Sequence, residues 1–157
     1  MNDDKYDAID LLKADHREAE KLFRQFESMK DSGEQEEKRE IVRQVCAALL
    51  IHMQIEEAFF YPAAREALED DALVDEAVVE HKGAKDLIRQ LGESHIDSAM
   101  FDAKTKVLSE QIEHHVNEEE DELFPRLRRT NLDFQALGVR LAKEKTKLER
   151  IHNMAPA

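Results

Sequence analysis

Four stretches of this chain carry apolar residues at steps of three and four, and a histidine interrupts each stripe once. The first holds Ile9, Leu12, His16, Ala19, Phe23 and Phe26; the second holds Ile41, Val45, Ala48, His52, Ile55 and Phe59. The third holds Val74, Val78, His81, Ala84, Ile88 and Leu91, and in the fourth Phe101, Leu108 and His115 share one heptad position. Such steps trace one face of an α-helix, the face a helix turns toward a core. Each of four helices is therefore expected to point one imidazole inward.

Punctuation sets the bounds. The first helix runs from about Lys5 to Lys30 and is broken by Asp31-Ser32-Gly33. Ser32 and Gln35 match a capping box that opens the second, which continues past Pro62 to about Leu68. Glu69-Asp70-Asp71 precedes the third helix, Gly92 closes it, and Asp97-Ser98 caps a fourth that ends near Arg129. A shorter amphipathic segment from about Leu132 to Ile151 is expected to pack outside the others, and Asn153 to Ala157 to fray. Short connections between long helices imply antiparallel neighbours. The expected fold is all-α, an up-down-up-down four-helix bundle with an additional C-terminal helix. With Gly 4 and Pro 3 among 157 residues, breakers are few. One domain over residues 1–157 is expected, its core at about 5–130 and its peripheral helix at about 132–152.

The formal net charge of −13 repels phosphate backbones and anionic membranes, so neither nucleic acid nor membrane is an expected partner. No basic-then-apolar leader or membrane-length run occurs, and a cytoplasmic protein is expected. The one cysteine, Cys46, excludes an intramolecular disulfide and a multi-thiolate metal site. It lies in the apolar run Val45 to Ile51 and reads as core filler.

The chain also repeats itself. Asp15-His16-Arg17-Glu18-Ala19 resembles Glu80-His81-Lys82-Gly83-Ala84 at an offset of 65 residues. His52-Met53-Gln54-Ile55-Glu56-Glu57, with Pro62, parallels His115-Val116-Asn117-Glu118-Glu119-Glu120, with Pro125, at an offset of 63. Two helical hairpins about a pseudo-twofold axis explain this, with space for a two-metal site between them. Glu56 and Glu119 each follow a core-facing histidine by one turn, so ring and carboxylate enter the same layer. A single such pair would read as a solvated surface pair. Two pairs, both on core-facing stripes and both followed by proline, do not.

Burying carboxylates without compensation costs several kcal/mol each. Metal cations supply that compensation, and a nitrogen-rich set with carboxylate bridges and no thiolate suits iron. Paired Glu-x-x-His elements of the ferritin type are missing, with Glu149 to His152 the one example, and no His-Glu-x-x-His occurs. The candidate metal ligands are His16, His52, Glu56, His81, His115 and Glu119. His114 points about 100° from His115 and reads as a surface or supporting residue. Glu57, Glu118 and Glu120 read as a solvated face, His95 and His152 as exposed, and Tyr61 as a packing residue.

The order His, His-x-x-x-Glu, His, His-x-x-x-Glu resembles the hemerythrin-like cation-binding domains, the family named for its His-His-Glu pattern, over about residues 5 to 130. The resemblance implies a non-haem di-iron centre of two iron ions, with His16, His52, His81 and His115 as terminal ligands and Glu56 and Glu119 as bridges. The oxygen-carrying members bear two histidines one turn apart on their third core helix. Here Ala77 and Lys85 stand at those distances from His81. Their last motif also spaces histidine and aspartate by five, whereas here His115 and Glu119 are four apart. One imidazole fewer leaves an open or water-filled coordination position, which turns the expectation from oxygen carriage toward reactivity or sensing.

The expected function is a di-iron protein that binds or senses O2, NO, or redox or iron state, a binding protein rather than a dedicated enzyme. The alternatives are an iron-dependent oxidoreductase acting on peroxide or NO or repairing iron centres, and a metal-free helical interaction module. O2 or NO is the expected small ligand; a homodimer is allowed, and no protein partner is indicated.

Overall fold

The computed structural model describes residues 6–31, 34–93 and 95–154, and among them every regular element is helical. The chain forms α1 (Ala8–Met29), α2 (Gln35–Ile55), α3 (Tyr61–Leu68), α4 (Ala72–Leu91), α5 (Ser98–Glu118), α6 (Phe124–Arg128) and α7 (Phe134–Met154). A π turn, Glu56–Phe60, joins α2 to α3, and another, Glu119–Leu123, joins α5 to α6. Each pair is one continuous helix, so α1, α2–α3, α4 and α5–α6 make the four-helix bundle. No helix among the described residues is long and apolar enough to cross a membrane.

Local chemistry explains the ends. Asp7 and Asp10 exchange side-chain to backbone bonds in a capping box at the start of α1, and Arg128 clamps Asp7 at 2.6 Å, tying α6 to that end. Asp97 accepts from the Met100 amide at 2.9 Å and caps α5 as expected. For α2, Glu34 occupies the cap position without a side-chain bond. The Ser32 half of the expected capping box lies outside the described residues, as does Lys5 at the expected start of the first helix.

The stripe on α1 is buried along its whole length, from Ile9 to Phe26. Two others shift. On α4, Val78 is 39% exposed and Ala77 takes the inward position. On α2 and the π turn that follows it, Val42, Leu49 and Phe60 lie deeper than Ile41, Ala48 and Phe59. Cys46 is buried as expected, and burial pushes its thiol pKa up to about 12.

The core falls into two apolar clusters. One gathers Ile9, Leu12, Ile55, Phe60, Val74, Leu123 and Leu127; the other gathers Phe23, Phe26, Val45, Leu49, Ile88, Phe101 and Leu108. The four candidate histidines lie at the boundary between them, one on each helix of the bundle. The last helix is no short appendage, since α7 has 21 residues, as many as α5. Leu137, Leu141 and Leu148 bury one side of it against α1 and α2. Gly138 permits that approach, because a Cβ there would meet the Ala8 amide nitrogen at 2.8 Å.

Candidate metal centre

Each candidate histidine arrives on a different helix, and each glutamate begins a π turn. Pro62 cannot donate to the Ala58 carbonyl, and its ring crowds that oxygen. The preceding turn widens instead, and the Tyr61 amide reaches back five residues to the Glu56 carbonyl. Pro125 has the same effect, with the Phe124 amide bonded to the Glu119 carbonyl. The proline that follows each His-x-x-x-Glu thus shapes the turn that carries the carboxylate.

All six sequence candidates come together. His16, His52, Glu56 and Glu119 offer four ligand atoms within 4.8 Å of one another, and Glu56, His81, His115 and Glu119 offer a second such set. The two carboxylates belong to both sets, and all six residues are buried. The imidazoles pair across the layer, His16 with His52 at 5.0 Å between ring centres and His81 with His115 at 4.8 Å. Inward-facing atoms lack aligned hydrogen bonds: His16 Nε2, His52 Nε2, Glu56 Oε2 and Glu119 Oε1 are buried without one, although His16 Nε2 lies 3.2 Å from Glu119 Oε1 and His52 Nε2 3.2 Å from Glu56 Oε1. Orphaned polar atoms at this depth are rare in a folded protein, so the cluster fits a cation.

Electrostatics agrees. Burial disfavours the charged form of His52, but the Glu56 charge and the Asp15 hydrogen bond outweigh it and push its pKa up to about 10. His115 is likewise opposed by burial, yet Glu119 and Glu80 drive it up to about 11. Glu119 is held well below the usual carboxylate range, its burial overcome by His115 and His16. Without a metal, protons on His52 and His115 offset buried negative charge. A bound cation would displace them.

Each imidazole is oriented from behind by a carboxylate, an arrangement usual for metal-ligating histidines. Nδ1–H of His16 donates to Glu120 at 2.6 Å, His52 to Asp15 at 2.8 Å, His81 to Glu57 at 2.7 Å and His115 to Glu80 at 2.6 Å. Glu57 and Glu120 are thus not simply a solvated face; each crosses from its own hairpin to a histidine of the other. The repeats Asp15-His16 with Glu80-His81, and Glu56-Glu57 with Glu119-Glu120, already carried this signal. Arg17 pairs with Glu120, Lys85 with Glu57 at 2.7 Å, and Lys145 of α7 with Asp15 at 2.6 Å. Glu80 faces His114, which is 66% exposed and lies 3.3 Å from Glu118. His95 and His152 are exposed.

Tyr61 is the correction. An offset of five residues in an α-helix would turn it about 140° from Glu56. The π turn brings it back into the layer, where it is 2% exposed. Its hydroxyl donates to Glu119 Oε2 at 2.5 Å and lies 3.2 Å from both Glu56 Oε1 and His81 Nε2 and 3.4 Å from His115 Nε2. The layer beside His81 and His115 therefore holds a phenol. Its duplicate in the second hairpin is Phe124, which stacks on His16 at 6.1 Å with the planes 3° apart.

The model of the hemerythrin HHE cation-binding domain matches residues 7–127. This chain belongs to that family. Among solved structures it is similar to a hemerythrin HHE cation-binding domain-containing protein from Mycobacterium kansasii, with 21% identity and a TM-score of 0.75 over 92% of this chain and 88% of that one. At that identity the likeness shows the fold. Comparison with curated proteins finds no match. For a member of a cation-binding family, the buried histidine and glutamate cluster is the metal-capable site among the described residues that lies inside the bundle.

Proposed function

We propose that this protein holds two iron ions, one by His16 and His52, the other by His81 and His115, with Glu56 and Glu119 shared between them. The observation that carries the reading is the pair of four-atom sets that have both carboxylates in common. Four imidazoles and two carboxylates without a thiolate favour iron over a soft-ligand metal. Bound iron would supply redox change and coordination positions for a small ligand. The protein's own residues do the rest. The four outer carboxylates fix which nitrogen of each ring faces inward, and Tyr61 holds a proton against the shared Glu119.

The role we favour is binding or sensing of O2, NO or redox state. Tyr61 lends weight to a second reading, redox turnover of peroxide or NO, because a hydroxyl 2.5 Å from a shared carboxylate is placed to donate a proton inside the site. Optical spectra of anaerobically iron-loaded protein, before and after air, separate the cases. A new oxo-bridged diferric absorption supports the site, and reversal on removing oxygen supports binding. Catalytic loss of added peroxide or NO supports turnover. Spectra unchanged by iron, with His52→Ala behaving as the parent protein, would leave a metal-free interaction bundle.

A further inference from the structure

One cavity borders all four histidines of the site. This cavity of about 270 Å³ reaches His16 and His52 from under α7, far more room than one water needs. Its walls are largely apolar, from Ala48, Leu49, Met53, Ile112 and Val116, and it continues to His81 and His115. Its charged lining is Asp15, Glu18, Lys145 and Glu149, three carboxylates against one ammonium. That ammonium is already paired with Asp15. On the far side, the Tyr61 hydroxyl stands among His81, His115 and both shared carboxylates.

We propose that small uncharged molecules reach the site through the cavity beneath α7, with Glu18 of α1 and Glu149 of α7 at its rim excluding anions. This deepens the reading given above and rests on it for the metal. The apolar walls give such molecules a path without desolvation cost, while Glu18 and Glu149 oppose a negative ligand in an already acidic protein. Lys145 is a positioning residue at the rim. It holds Asp15, and Asp15 holds the His52 ring.

The test has a metal-free arm and a metal-loaded arm. Crystals of metal-free protein pressurised with xenon should show the atom in this cavity beside His16 and His52, and Ala48→Phe, which fills the rim, should exclude it. In iron-loaded protein, stopped-flow association of NO should slow about tenfold or more in Ala48→Phe. Reversing the exposed charge with Glu149→Lys should raise the azide association rate relative to that of NO by about tenfold at low salt, and the gain should fade as salt is added. Xenon lodged only elsewhere, or NO association unaltered in a folded Ala48→Phe protein, overturns the route. An unchanged azide-to-NO ratio in Glu149→Lys overturns the charge selection, and that variant decides if Ala48→Phe does not fold. Failure to load iron would count against the metal reading alone, since the xenon arm needs no metal.

Discussion

The two hairpins supply matched chemistry and unmatched surroundings. Each gives two histidines, a glutamate at the head of a π turn and a proline six residues later, and each lends a carboxylate that orients a histidine of the other. Yet Tyr61 in the first hairpin corresponds to Phe124 in the second, and α7 covers Asp15 with Lys145 while Glu80, beyond its bond to His115, faces the exposed His114. Duplication accounts for the ligand set. Divergence after it accounts for the phenol beside His81 and His115 and for the α7 cover over Asp15.

The largest expected effect comes from removing what the halves share. Glu119→Ala should abolish binding at both sets, whereas His16→Ala should weaken one set and spare part of the other. Metal content per chain, by elemental analysis, reads the difference. In the metal-free state Glu119→Ala also leaves imidazolium charge buried and unpaired, and should lower unfolding free energy by about 3–5 kcal/mol. Equal metal content in the two variants would break the claim that the carboxylates are common property.

A second effect concerns pH. The pKa values of His52 and His115 are raised on folding, to about 10 and about 11. Their contribution to the stability of metal-free protein is therefore complete below about 6.5 and is lost as pH rises toward those values. The melting temperature of metal-free protein should fall between neutral pH and pH 10, and metal-loaded protein should resist that fall. Calorimetry across this window checks both.

Smaller effects sharpen the asymmetry. Tyr61→Phe makes the two sides alike and removes a hydrogen bond to a charged group, at about 1.5–3 kcal/mol in metal-free protein. Metal content should stay unchanged while the optical spectrum of the loaded protein shifts. Gly138→Ala forces a Cβ against the Ala8 backbone and should cost about 1–3 kcal/mol. Faster amide exchange in α7, with α4 and α5 unaffected, would locate that loss on the covered hairpin. Arg17→Ala removes an exposed partner of Glu120 and should change stability by no more than about 1 kcal/mol.

Much of this was legible in the sequence because helical periodicity is local. His16 at the centre of an apolar stripe could face only inward, and the repeated His-x-x-x-Glu placed both carboxylates in the same layer. What stayed hidden depends on departures from that periodicity. An unbroken α-helix turns Tyr61 away from the layer and runs on past Pro62, so periodicity alone gives Tyr61 a packing role and hides the wider turn. The same regularity points Val78 inward, whereas Ala77 holds that position. Glu57 and Glu120 lie beside the shared glutamates in sequence, but their targets are on the other hairpin, a pairing no single-helix pattern encodes. Lys145 could not be assigned to Asp15 at all, since the contact depends on where α7 docks.

The central claim is a pair of metal ions held jointly by both hairpins. Anaerobic titration of metal-free protein with ferrous iron, followed by elemental analysis after desalting, tests it most directly. The account predicts two irons retained per chain, with Glu56→Ala and Glu119→Ala each retaining none. Retention of no iron by the parent protein, or of a single iron that survives loss of either glutamate, would contradict it.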